Sequence, residues 1–207
     1  ITSMAQPLGT HIGNALEVKD AIDVLAGRTQ GDLLEISLLL GSHMLVLAEK
    51  AKTLPEARAM LENALSSGAG LRKLAEMIAA QGGDPRVVED LSLLPQAAVK
   101  RVMRAETAGY LSAMDTTALG MAAQRMGAGR AKKSDMLDYS VGYVLHVRLG
   151  DEVTEDTPLA TLYARNEAEA EETEKAIRKA LTIAKEKPSV PPLWDAVVTA
   201  EGITYNR

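Results

Sequence analysis

Near Leu94-Pro95 the apolar pattern of this chain changes period, and one kind of layer cannot serve both sides of the change. Upstream, apolar residues recur at helical spacing: Val18, Ala21, Ile22 and Leu25, then Ala57, Met60, Leu61, Ala64 and Leu65, then Leu71, Leu74, Ala75 and Ile78. Downstream come short runs bounded by Gly and Asp, at 102–105, 110–113, 143–147 and 159–164, interrupted by one helix over about 116–126. The pattern predicts residues 1–97 as the mainly helical C-terminal part of a larger α/β domain, its sheet lying upstream, and residues 98–207 as a small α+β domain.

Punctuation sets the predicted helix ends. Asn14 with Glu17 three residues later forms a capping box, and Gly27 ends that helix, so it spans about 15–26. A long helix over 31–52 carries Leu34, Leu38, Met44, Leu45 and Leu47 so evenly that it is expected to be largely buried. Thr53, Pro55 and Glu56 open the next helix, Gly82-Gly83 closes the one after it, and Asp84-Pro85 starts a short helical piece. Over 167–187 the acids come first and the bases last, which suits the dipole of a single closing helix. Pro188, Pro191 and Pro192 end it, Trp194 is expected to pin the tail, and residues 1–5 read as the end of a strand whose beginning is missing.

Composition excludes several classes. Lys and Arg number 23 against 28 Asp and Glu, without segregation between the halves, so there is no basic face for nucleic acid. Aromatics are 3% of residues and Phe is absent, which leaves few platforms for stacking bases. With no Cys there is neither a disulfide framework nor a thiolate metal site, which fits a cytoplasmic protein. No apolar run approaches the ~18 residues of a membrane span, and Ile1 to Met4 does not resemble a targeting signal.

The stretch most clearly shaped to hold something is Gln6 to Ile22, QPLGTHIGNALEVKDAI, where Gly9 and Gly13 free the backbone of a loop that feeds straight into the capped helix. It resembles the QPLG…GNALEV signature of the pyrimidine nucleoside phosphorylase and thymidine phosphorylase family. The likeness continues through 39–45 (LLGSHML), 80–84 (AQGGD), 93–95 (LLP), 126–130 (MGAGR) and 149–153 (LGDEV). It implies the C-terminal half of such an enzyme, a homodimer when intact. The enzyme would be a transferase that cleaves thymidine or uridine with inorganic phosphate. It further implies that the phosphate and base motifs precede the QPLG loop, so no catalytic or substrate-binding residue is assigned in this chain. The partner expected for the chain is the upstream half of the same protein. The family's potassium ion maps onto the carbonyls of Leu8 and His11 and the carboxylate of Asp20, where Asp replaces the more usual Glu. A weakly hydrated cation suits neutral carbonyl oxygens balanced by one charge.

Other candidates have plainer readings. His43 and His146 sit in apolar runs as hydrogen-bonded structural residues, and His11 contributes through its backbone. The 126–130 segment lacks the Lys-Ser/Thr of a phosphate loop and reads as a turn. Residues 149–162 are similar to the hairpin of lipoyl and biotinyl carrier domains, which suggests a barrel-sandwich element. The second functional reading is therefore a non-enzymatic carrier or interaction module, although the carriers' modified lysine has no counterpart at a hairpin tip and Lys132-Lys133, in a turn-like stretch, lacks their flanking residues.

Overall fold

The computed structural model describes residues 1–206. The chain forms two compact units, one made of 1–17 and 95–207, the other of 18–94. This differs from a single cut at 97/98. The opening segment belongs with the later residues because β1 (His11–Ile12) pairs antiparallel with β4 (Gly142–Leu145), His11 opposite Val144. Residues 1–5 are irregular apart from one bridge. Thr2 bridges to Trp194, and the Ser3 amide donates to the Leu193 carbonyl at 3.0 Å.

Four helices make up the unit of residues 18–94: α1 (Asn14–Leu25), whose first turn belongs to the other unit, α2 (Asp32–Leu47), α3 (Leu54–Ser66) and α4 (Ala69–Ala80). Two short 3₁₀ turns follow at Pro85–Val88 and Leu91–Leu93. The box predicted for α3 is present: Thr53 Oγ1 accepts from the Glu56 amide, and Glu56 Oε2 accepts from the Lys52 amide at 2.9 Å. Two separate small clusters form its interior, Ile22 with Val87 and Val88, and Val24 with Leu34 and Leu38. The expectation that α2 is largely buried fails in its C-terminal half. Leu34, Ile36, Leu38 and Ser42 are covered, whereas Leu40, Met44 and Leu47 face outward, Leu47 with 83% of its surface exposed.

In the other unit, β1, β4, β6 (Pro158–Ala164) and β2 (Val99–Arg104) form one antiparallel sheet in that order. β5 (Glu152–Val153), β3 (Gly109–Met114) and β7 (Leu181–Ala184) form a second. Together with α5 (Thr116–Ala123) and α6 (Glu167–Ala180) they share one buried cluster that includes Met103, Leu111, Leu119, Met126, Leu145, Leu159, Leu162 and Ile177. The Tyr143 ring lies in it, its hydroxyl donating to the Leu119 carbonyl at 2.7 Å, and burial raises the phenol pKa well above its usual range. A hairpin, β8 (Ala196–Thr199) with β9 (Gly202–Tyr205), closes the chain.

The single helix predicted over 167–187 stops at Ala180. Its buried stripe of Ala170, Thr173, Ile177 and Ala180 runs out there, and the alternating, partly β-branched Leu181-Thr-Ile-Ala184 pairs with β3 instead, Leu111 opposite Ile183. Tertiary pairing overrides the favourable charge order. At the helix start, Asn166 accepts from the Glu169 amide at 2.9 Å, and Glu169 returns a carboxylate oxygen to the Arg165 amide at 2.8 Å.

Candidate functional site: the loop from Gln6 to Ile12

The loop is built from both ends. At its C-terminal end Gly13 has φ +138° and Gly142, across the β1–β4 pairing, has φ +149°. A Cβ on Gly13 would stand 2.5 Å from the Val141 carbonyl oxygen, and one on Gly142 would stand 2.2 Å from the Ile12 carbonyl oxygen. Both contacts are closer than any real Cβ tolerates, so the crossing demands two glycines. Gly9 has no left-handed φ, so of the two loop glycines only Gly13 uses the freedom expected of both.

The capping box expected around Asn14 is half realised. Glu17 reaches back to the Gly13 amide at 3.3 Å, but the Asn14 side chain donates its amide to the Ala128 carbonyl at 2.8 Å. That carbonyl lies on the π turn Gln124–Ala128, which holds Gly127 at φ +100°. The 126–130 segment is therefore a turn with a job in this unit: it anchors the residue that starts α1.

The N-terminal part of the loop is held by the segment 145–151. The Leu145 amide donates to the Thr10 carbonyl at 2.8 Å, and the Leu149 amide donates to Gln6 Oε1 at 2.9 Å. Between them Arg148 places its guanidinium among three consecutive carbonyls. Nη1 donates to Pro7 at 2.6 Å and reaches Gly9 at 3.4 Å, and Nη2 reaches Leu8 at 3.4 Å. Asp151 fixes the backbone of Arg148, its Oδ2 accepting the Arg148 amide at 2.7 Å while its own amide donates to the Arg148 carbonyl at 3.1 Å. Gly150, at φ +87°, completes the turn and donates to the Leu111 carbonyl at 2.8 Å. One charged fork thus closes a loop whose carbonyls would otherwise repel one another.

Of the predicted cation ligands, Leu8 and His11 belong to the unit of residues 1–17 and 95–207. Leu8 offers a carbonyl already facing a guanidinium. His11 lies in β1, and its Nδ1 pairs with Thr10 Oγ1 at 3.0 Å. Asp20 lies on α1 in the unit of residues 18–94 and is only 4% exposed, so its carboxylate does not face solvent. Two unit positive charges about 4 Å apart repel by ~4 kcal/mol at an effective dielectric constant near 20. A cation sharing the Leu8 carbonyl would meet such repulsion from the Arg148 guanidinium.

The remaining candidates keep structural surroundings. His146 is exposed just after β4, with Nε2 2.7 Å from Thr161 Oγ1; partial desolvation and the nearby Lys100 charge lower its pKa. His43 is half-buried on α2. Lys132 and Lys133 are exposed in an irregular stretch outside any strand hairpin. Arg148 was not anticipated, since a lone Arg before a Gly-Asp turn has no signature of its own and only the folded loop brings carbonyls to it.

These features define a class: an α+β unit of two antiparallel sheets, with a clamped N-terminal loop, leading into a helical unit. Residues 110–184 match the family described as the pyrimidine nucleoside phosphorylase C-terminal domain. The chain is 50% identical over 167 residues to the pyrimidine-nucleoside phosphorylase of Bacillus subtilis (strain 168), covering 81% of this chain and 39% of that protein. It is 49% identical to that of Geobacillus stearothermophilus, with the same coverage, and 42% identical over 199 residues to that of Staphylococcus aureus (strain USA300), covering 96% and 46%. The chain belongs to the pyrimidine nucleoside phosphorylase family, and it spans less than half the length of these relatives. No helix among the described residues is long and apolar enough to cross a membrane.

Proposed function

We propose that this chain is part of a pyrimidine nucleoside phosphorylase, a pentosyltransferase in which inorganic phosphate attacks C1′ of a thymidine- or uridine-like nucleoside, the glycosidic bond breaks, and free base and a pentose 1-phosphate leave. The observation that carries this reading is the 42–50% identity to proteins of that name over most of the chain. The chemistry needs an anion held beneath C1′ and stabilisation of charge on the departing base. The resemblance assigns both tasks to motifs outside these residues. The role proposed here is a scaffold: the glycine crossing and the Arg148 fork fix the loop that supports such a site, while the apolar side chains exposed on α2 offer surface to the remainder of the enzyme. A homodimeric assembly and a cytoplasmic setting belong to the same reading through the resemblance.

The carrier reading is weaker. The turn between β5 and β6 presents Thr154, Glu155, Asp156 and Thr157, with no lysine to modify. The deciding experiment mixes the purified 207-residue chain with the separately produced remainder of a full-length relative and follows phosphate-dependent base release. The mixture is expected to turn over and the chain alone is not. A folded, inactive mixture would overturn the proposal, and a biotin or lipoate adduct in the intact mass would favour the carrier.

A further inference from the structure

We propose that Arg148 is the resident cation of the loop from Pro7 to Gly9: its guanidinium occupies the carbonyl cradle that a monovalent metal ion would otherwise fill, and it sets the shape of the loop. The inference goes beyond the phosphorolysis reading and does not rest on it, because it concerns the conformation of the loop in this chain alone. Three facts point to it. Three consecutive carbonyls, Pro7, Leu8 and Gly9, converge on one side chain at 2.6 to 3.4 Å, although adjacent peptide dipoles aimed at one point repel unless a positive charge stands there. The fork arrives preset, since the Arg148 backbone is tied to Asp151 at both its amide and its carbonyl, and Gly150 adopts the left-handed turn this requires. Finally, the neighbours Leu145 and Leu149 hold the flanks of the same loop through Thr10 and Gln6, so that Arg148 sits at the centre of a three-point seam within one compact unit.

Arginine suits this place because its planar donors reach several oxygens at once and stay charged at any accessible pH. Lysine would supply the charge without the fork. Arg148 is thus a positioning residue for the loop, and it predicts how the loop responds to metal ions. While the guanidinium is seated, potassium has no carbonyl site to enter at Leu8. When the guanidinium is removed, the cradle becomes a site of neutral oxygens suited to a weakly hydrated cation.

The test compares the 207-residue chain with its R148K and R148M variants, using peptide-resolved hydrogen exchange over residues 6–12 in potassium chloride and in lithium chloride at matched ionic strength. The wild-type loop is expected to exchange alike in both salts. R148M should exchange faster by about tenfold or more, the amount expected for losing charge-assisted hydrogen bonds, and potassium but not lithium should restore part of the protection. R148K, the safeguard should R148M fail to fold, should lie between wild type and R148M. Saturable potassium-specific protection of the wild-type loop would overturn the proposal, and so would unchanged exchange in R148M or in R148K. Loosening of R148M that potassium does not relieve would also count against it, because the carbonyls would then form no cation site.

Discussion

The two units reach order by different means. In the unit of residues 1–17 and 95–207, one continuous cluster runs through both sheets and two helices, and its largest members, Tyr143, Leu111, Leu145 and Leu162, are almost wholly removed from water. The unit of residues 18–94 divides its apolar residues between two clusters of three buried side chains each, and its second helix sends Leu40, Met44 and Leu47 outward. Stability follows contiguous burial more closely than helix content. The strand-rich unit therefore carries its own core, while the helical unit has apolar faces that nothing among the described residues covers.

The largest effect that could break this comparison lies at the glycine crossing. Gly142→Val should leave little folded chain, costing more than about 3 kcal/mol, because the new side chain meets the Ile12 carbonyl at a φ it cannot adopt; urea unfolding followed by circular dichroism checks it. Next is a matched pair. Leu162→Ala, in the main cluster, should cost about 3 kcal/mol, whereas Leu47→Ala should stay within about 0.5 kcal/mol. Equal losses would mean that α2 is packed more tightly than its exposure indicates. Tyr143→Phe should then cost about 1 to 2 kcal/mol, through the lost hydrogen bond to Leu119 with the ring left in place.

A smaller effect depends on pH. Asp23 on α1 is buried, which raises its pKa, but hydrogen bonds from Lys19 at 2.5 Å and Arg28 at 2.7 Å outweigh that and hold it below the usual carboxylate value of 3.8. A carboxyl whose folded pKa is depressed stabilises the fold above its unfolded pKa, and the contribution disappears as pH falls through the folded one. Asp23→Asn should therefore destabilise at neutral pH, by about 1 kcal/mol given the exposed partners, and the difference from wild type should narrow as the pH drops below about 4. A difference independent of pH would show that the ion pair contributes little.

Much of this was legible locally. Thr53, Pro55 and Glu56 marked the start of α3 because capping is a short-range matter, and the strand runs over 102–105, 110–113, 143–147 and 159–164 all fall on observed pairings or their margins. What was hidden depends on partners distant in sequence. Leu181–Ala184 leaves the helical pattern only because β3 is present to pair with it, and residues 1–5 meet the segment around Trp194 almost two hundred residues later. The terminal hairpin of Ala196–Thr199 and Gly202–Tyr205 lacks the Asn-Gly turn that would have announced it. The QPLG loop was conspicuous as a site, but the residue that closes it was not, since Arg148 gains its meaning from carbonyls about 140 positions away.

The contrast between the units is tested most directly by native-state hydrogen exchange resolved along the chain. Amides of β4 and β6 should exchange only through global unfolding, and those of α2 should open by smaller steps with free energies several-fold lower. Equal protection of α2 and of the β4–β6 pairing would contradict the account, because it would make the helical unit as self-sufficient as the unit that carries the continuous core.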